Sequence, residues 1–311
     1  MLNVCLIGYG YWGTKLARNI QNSDYFNLKF IVDKNSKNLS LAKKIYGHTL
    51  FLNNYKTILK NPNVDLVIIS TPTSTHYSIS KKMLLAKKKI LVEKPITLKM
   101  KELISLEKIS KKNKCMIFVD YPFIFSGGVK YIKKIIKKKT LGKLLEIVSF
   151  REQAPIRNDC NVVWDLAVHD ISILTYLLDK LPNKIDSIKQ KNYKDTLPDT
   201  AIINLKYKNN LNVLIKNSWI SPTKVRLIKI KFEKGTIYYD ENESLYKIKI
   251  FKKRTNNHWE YNQYIPEIDL SEPLSNLLKY VYFSIRNNKN IIFKNNFNLK
   301  ITQLLHKIDK N

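Results

Sequence analysis

Two stretches of this 311-residue chain carry side chains whose types and spacing suit acid–base chemistry. In the run Val163-Trp164-Asp165-Leu166-Ala167-Val168-His169-Asp170-Ile171-Ser172, the residues Asp165, His169, Ser172 and, further on, Tyr176 recur at i, i+4, i+7 and i+11. On a helix that spacing is one polar stripe. Leu166, Ala167, Ile171, Ile173, Leu174, Leu177 and Leu178 cover the rest of the turn, so a carboxylate and an imidazole share an otherwise core-facing element. Asp165 can orient the imidazole, and His169 can accept a proton; the same pair also serves structure in many cores. The second stretch is Glu93-Lys94-Pro95, which ends an apolar run. An ammonium there can donate to a substrate hydroxyl and stabilise the negative charge that grows on it.

A third motif concerns a cofactor rather than a proton. Gly8-Tyr9-Gly10-Tyr11-Trp12-Gly13 follows the first apolar run and opens a helical stretch, the context of a dinucleotide fingerprint. Gly8 permits the tight turn, Gly10 lets the backbone approach a pyrophosphate, and Gly13 allows close helix–strand packing. The helix beginning at Tyr11 and Trp12 offers its N–H groups to the phosphates. Asp33 ends the second apolar run, where an acid can bond the ribose hydroxyls and so favour NAD over NADP. NADP remains possible because Lys34 and Lys37 lie nearby. Ser70, Thr71 and Pro72, followed by Thr73, Ser74 and His76, stand at the end of a further apolar run. They are candidates to contact the cofactor, with Thr73 or Ser74 alternatively capping the next helix and His76 alternatively a satisfied helix-face histidine.

The elements needed to position these residues are legible as a rhythm. Apolar runs at 4–7, 28–32, 64–69, 90–92 and 115–119 alternate with amphipathic stretches at 12–22, 37–46, 75–88 and 99–113. This predicts βαβ units on a parallel, doubly wound sheet. Tyr121-Pro122 and Ser126-Gly127-Gly128 break the rhythm, which places a domain boundary between residues 121 and 122. Beyond it the pattern predicts helices at 128–138 and 162–179, strands at 143–151, 200–207, 211–220, 224–232, 235–240 and 245–251, and closing helices at 272–287 and 298–309. Strands joined by short turns imply an antiparallel sheet. The expected fold is therefore α/β, a dinucleotide-binding domain over 1–121 followed over 122–311 by a second domain built on an antiparallel sheet.

Composition narrows the function classes. Lys and Arg total 55 against 25 acids, a net charge of +30, which raises the question of nucleic acid. Yet arginine occurs only at positions 18, 151, 157, 226, 254 and 286, and the lysines are spread over almost every segment. Specific readers of nucleic acid gather arginine on one element, so the expectation is a solvated basic surface without a specific nucleic-acid partner. No run approaches the ~18 apolar residues of a membrane span, and the start lacks a basic region and cleavage site. A cytoplasmic protein with no membrane partner is expected. Cys5, Cys115 and Cys160 show no metal-ligand spacing, so they read as buried thiols and no metal is expected.

Taken together, the fingerprint at 8–13, the Thr-Pro segment at 71–76, Glu93-Lys94-Pro95 and the Asp165-x-x-x-His169 helix resemble, in order and spacing, the glucose-fructose oxidoreductase and inositol dehydrogenase (Gfo/Idh/MocA) family. The wording Gly10-Tyr11-Trp12-Gly13, Trp164 to Asp170 and Ser218 to Arg226 resembles its branch associated with surface-polysaccharide genes. The resemblance implies a Rossmann domain followed by a domain with a large open antiparallel sheet, which often makes the dimer or tetramer contact. It implies a catalytic Lys94 followed by a cis bond to Pro95, with Asp165 and His169 completing the set. It also implies a nicotinamide-dependent oxidation of a secondary hydroxyl, for example at C3 of a UDP-linked amino sugar or uronate. The proton could go to His169 or to Lys94. Arg157, Lys224 and Arg226 are candidate donors to a nucleotide-sugar pyrophosphate. A free polyol or simple sugar is the alternative substrate, and a noncatalytic dinucleotide sensor the alternative of another class. One departure stands out: Asp120-Tyr121-Pro122-Phe123 replaces the branch's usual Gly-His-Thr-Phe.

Overall fold

The computed structural model describes residues 1–193, 196–254, 260–293 and 296–310. They form two compact units, one of Met1–Pro122 with Pro273–Thr302, the other of Phe123–Glu272 with the chain from Gln303 on.

The first unit is built on β1 (Leu2–Ile7), α1 (Tyr11–Gln21), β2 (Phe26–Val32), α2 (Ser36–Lys43), β3 (Leu50–Leu52), α3 (Lys56–Leu59), β4 (Leu66–Ile69), α4 (Thr73–Leu85), β5 (Lys89–Glu93), α5 (Met100–Lys112) and β6 (Ile117–Asp120). Its six strands are parallel in the order β3-β2-β1-β4-β5-β6. Val4, Cys5, Leu6, Leu66, Val67, Ile68 and Ile69 are sealed from solvent, as strands covered on both faces must be. The order reverses between β1 and β4, so the turns after these strands share the crevice where open α/β sheets bind ligands. The sequence rhythm anticipates five of the strands; β3 and α3 are additions, three and four residues long. Pro273–Thr302, expected in the second domain, counts with this unit. The reason is aromatic: Tyr280 and Phe293 pack edge-on against Phe118 at 6.3 and 5.9 Å, and Tyr282 meets Tyr25 at 4.8 Å.

The second unit contains α6 (Gly127–Lys138), β7 (Leu144–Glu152), a π-turn (Val163–Ala167) running into α7 (Val168–Leu178), and β8 (Lys184–Gln190), β9 (Thr200–Lys206), β10 (Asn212–Ser218), β11 (Val225–Phe232), β12 (Gly235–Asp240), β13 (Ile248–Lys253) and β14 (Tyr261–Tyr264). Helices α8 (Pro273–Arg286) and α9 (Phe297–Lys310) close the chain. The eight strands are ordered β14-β13-β12-β11-β7-β10-β9-β8. Every pair is antiparallel except β7 with β10, so the sheet is mostly antiparallel, as expected, with one parallel pair inside it. Burial alternates along β10 to β12, the mark of a sheet with one covered face. The end of α9 is tied into this unit, Asp309 accepting from Trp164 Nε1 at 2.9 Å and Asn161 Nδ2 at 2.7 Å.

Candidate active site

In the first unit the turn after β1 is shaped by what its glycines exclude. Gly8 has φ +96°, and a Cβ on it would collide with the Ser70 carbonyl. A Cβ on Gly13 would collide with the Gly8 carbonyl, whereas one on Gly10 would meet nothing within 4 Å. Two glycines thus pack the turn, and the third leaves open space above it. Helix α1 starts there with no side-chain cap, so its N–H groups and dipole are oriented toward an anion. Asp33, just past β2, is fixed by three donors: Tyr9 N at 2.7 Å, Asn38 Nδ2 at 3.0 Å and Asn35 N at 2.8 Å. Open space over Gly10 and a rigid acid after β2 fit a dinucleotide, whose pyrophosphate the turn's backbone would hold and whose ribose Asp33 would meet.

The turn after β4 carries Ser70, Thr71 and Pro72. Helix α4 begins at Thr73 with Pro72 as the preceding residue and no side-chain cap, so neither Thr73 nor Ser74 caps it. His76 is buried, its Nδ1 2.9 Å from the Pro95 carbonyl and its Nε2 2.7 Å from that of Thr71. Tyr11 projects into solvent and takes a bond from Lys15 at 2.9 Å.

Glu93 and Lys94 end β5, and the Lys94–Pro95 bond is cis. Lys94 is only 8% exposed, and its N–H donates to Glu93 Oε2 at 2.6 Å. Beside it stands a residue the motif reading passed over. Asp120, at the end of β6 and in register with Glu93, is fully buried and accepts from Trp12 Nε1 at 2.5 Å. Burial pushes its carboxyl up to about 6, against the opposing pull of the Trp12 hydrogen bond and the Lys94 charge. The visible signal was a lone acid ending an apolar run at the domain boundary.

In the second unit Asp165 sits within the π-turn and His169 in the first turn of α7. Such turns are frequent at functional sites. Asp165 accepts from Trp219 Nε1 at 3.0 Å and from Arg157 at 3.4 Å. The stripe expected from the spacing is partly realised: Asp165 and Ser172 are buried, while His169 and Tyr176 are half-buried. The His169 ring meets the Phe123 ring edge-on at 4.9 Å, and the Arg151 guanidinium covers Phe123, also at 4.9 Å.

Arg151 is 2% exposed and holds Glu241 through two bonds of 3.0 and 2.7 Å and Asp170 through one of 3.3 Å. Asp170 also accepts from Ser149 and Asn217 at 2.8 Å each. Burial alone would pull the guanidinium down, but Glu241 and Asp170 together raise it. Sequence reading missed this cluster because its members lie up to 90 positions apart.

The candidate pyrophosphate donors differ in availability. Lys224 is exposed. Arg157 is paired with Asp159 at 2.7 Å as well as with Asp165. Arg226 spends its guanidinium on the carbonyls of Glu152, Val225 and Gln153, and burial with the like charge of Arg151 holds it below its usual value. Among the described residues no group of His, Cys, Asp and Glu could hold a metal, and no helix is long and apolar enough to cross a membrane.

Comparison with known proteins bears on these features. Over 229 residues the chain is 26% identical to myo-inositol 2-dehydrogenase of Thermotoga maritima, covering 70% of this chain and 68% of that protein. Among solved structures, a UDP-N-acetylglucosamine 3-dehydrogenase from Acidithiobacillus ferrooxidans superposes with a TM-score of 0.85 at 17% identity, over 99% of this chain and 96% of that one. A levoglucosan dehydrogenase in complex with NADH gives 0.87 at 15%, with the same coverage; at such identities the likeness concerns the fold. A model of the oxidoreductase family with an NAD-binding Rossmann fold matches residues 2–121, and a model of the GFO/IDH/MocA C-terminal domain matches residues 129–238. With both models matched in order, the fingerprint turn and the lysine-bearing strand end lie in the first and the Asp165–His169 helix in the second: the chain belongs to the GFO/IDH/MocA family of NAD-binding oxidoreductases.

Proposed function

We propose that the protein is a cytoplasmic, NAD-dependent dehydrogenase that oxidises a secondary hydroxyl of a sugar, in the first reading position C3 of a UDP-linked amino sugar or uronate used for surface polysaccharide. The observation that carries the reading is Lys94, a buried ammonium at the carboxyl end of β5 in an NAD-binding unit. In that role Lys94 donates to the reacting oxygen and offsets the negative charge that develops on it. His169 takes the hydroxyl proton, its ring steadied by Phe123, and Asp165, fixed by Trp219 and Arg157, orients the polar end of the helix. NAD, when bound, supplies the hydride acceptor.

The nucleotide-sugar reading is supported by the wording of residues 10–13, 164–170 and 218–226 and by one structural neighbour named for that activity. Of the second-unit cations, exposed Lys224 and half-buried Arg157 are then the pyrophosphate donors. A polyol or simple sugar is the second reading, favoured by the inositol dehydrogenase relative. Residues 1–121 hold the cofactor, and the remainder serves substrate and self-association. Exposed Ile188 and Ile202 on strands of the second sheet support a dimer or tetramer contact there.

The test is a survey of UDP-sugars and polyols by reduced-nicotinamide absorbance. Lys94→Ala and His169→Ala are each expected to lower turnover about 10²-fold or more with NADH affinity unchanged. Near-normal turnover in either variant removes that residue from the mechanism, and protection from thermal unfolding by UDP alone separates the nucleotide-sugar reading from the polyol one.

A further inference from the structure

The carboxyl edge of the first sheet holds one ionisable group that the acid–base reading does not use. Asp120 is 1% exposed. Its Oδ2 takes the Trp12 indole N–H, while its buried Oδ1 has no hydrogen-bond partner among the described residues. A carboxylate half satisfied in a dry site is costly, so its retention beside Lys94 calls for a use.

We propose that Asp120 is the positioning residue for Lys94: held by the Trp12 indole, its carboxylate is the counter-charge that keeps the Lys94 ammonium in place, and proton uptake by Asp120 switches that counter-charge off in acid. This rests on the reading of Lys94 as the group that meets the reacting hydroxyl. Three observations support it. The Lys94 charge favours the ionised form of Asp120, so the two groups lie within electrostatic reach of each other. Strand pairing sets Asp120 in register with Glu93, the residue before Lys94, and the Trp12 indole fixes its Oδ2 there. The balance of burial against the Trp12 and Lys94 contributions puts the Asp120 transition at about 6, close enough to neutrality for modest acidification to work it.

Among the described residues, charged and titratable groups reach Asp120 from β5, α1 and its own strand end. Lys94 and Glu93 end the neighbouring strand β5, and Trp12 of α1 donates the indole N–H. Tyr121 follows in the chain, its hydroxyl pushed up by burial and by the Glu93 charge. From α8, Tyr280 packs on Phe118 and turns its hydroxyl to Asn290 at 2.8 Å. The proton that neutralises Asp120 comes from solvent and returns to it, so the switch needs no co-reactant.

The test follows the Trp12 indole N–H by proton–nitrogen spectroscopy of the full chain labelled at its four tryptophans, the resonance being assigned by its loss in Trp12→Phe. In the wild type it should titrate with a midpoint of about 6. In Lys94→Met, which removes the nearby positive charge, the midpoint should rise by about one pH unit or more, and in Asp120→Asn the titration should vanish. A Trp12 resonance that stays flat between about pH 5 and pH 8, or one whose midpoint is the same in Lys94→Met, overturns the proposal. Wild type and Lys94→Met decide the matter even if Asp120→Asn does not fold. Because this readout needs no substrate, the Asp120–Lys94 coupling and the dehydrogenase reading fail or hold separately. With a substrate in hand, loss of the acid limb of turnover in Asp120→Asn supports the positioning role, and an unchanged pH profile refutes it.

Discussion

Lys94 stands at the end of a buried strand of a parallel sheet, whereas His169 leans on a phenylalanine that leans on a buried arginine tied to two carboxylates. The first unit positions its chemistry with backbone: strand order, two glycines under close contact, and turns that converge at one sheet edge. The second positions its chemistry with side chains drawn from β7, α7 and the residue after β12. A backbone-built site tolerates varied side chains and fails where a Cβ intrudes. A site built on buried ions fails where a charge loses its partner.

The largest expected effect tests the second half of that contrast. Arg151→Met strands Asp170 and Glu241 without their counter-charge, and unfolding by denaturant should show a loss of about 3–5 kcal/mol. Arg254→Met, which removes an exposed pair of 3.9 Å with Glu260, should cost about 1 kcal/mol or less. Equal losses in the two would erase the distinction.

The next effect tests the first half. Gly13→Ala should cost about 3 kcal/mol because the new Cβ meets the Gly8 carbonyl. Gly10→Ala should melt like the wild type, since nothing stands within 4 Å of the added carbon. Its loss should appear only as NADH binding weakened by about tenfold or more, which a fluorescence titration measures. A Gly10→Ala protein with normal NADH affinity would mean that the open space is not where the pyrophosphate lies.

The smallest effect sharpens the comparison by finding a buried charge in the backbone-built unit. The Asp120 carboxyl is raised to about 6 in the fold, above its ordinary value near 4. The native state therefore keeps a proton that the unfolded chain releases between those values, and stability from this group falls as pH rises through that window. Between about pH 4 and pH 7 the wild type should lose of the order of 2 kcal/mol relative to Asp120→Asn. A difference that does not vary with pH would show that Asp120 is ionised throughout.

Much of the first unit was readable because its rules are local. Five apolar runs bounded by turns are enough for the strands, and glycine spacing is enough for the fingerprint. Strand β3 escaped because it is three residues long, and β8 because Lys184-Ile185-Asp186-Ser187-Ile188-Lys189-Gln190 offers only two apolar side chains on an edge strand. Strand β14, Tyr261-Asn262-Gln263-Tyr264, is exposed along its whole length at the opposite edge. The return of Pro273–Thr302 to the first unit depends on aromatic contacts over more than 150 positions, which periodicity does not register. Arg151 counted among scattered basic residues until the fold placed it between two acids.

The π-turn at Val163–Ala167 sets the phase between Asp165 and His169. A π-turn is a helix that has taken in one residue more than its axis requires, and in an α-helix each residue turns the chain by about 100°. Loss of a single residue from this turn would let it rewind as ordinary helix. His169, downstream, would keep its place against Phe123, while Asp165 would swing away from Trp219 and Arg157 by more than a quarter of a revolution. The angle between carboxylate and imidazole is thus recorded in chain length rather than in side-chain identity, and a one-codon deletion would dephase the pair while leaving both residues in the sequence.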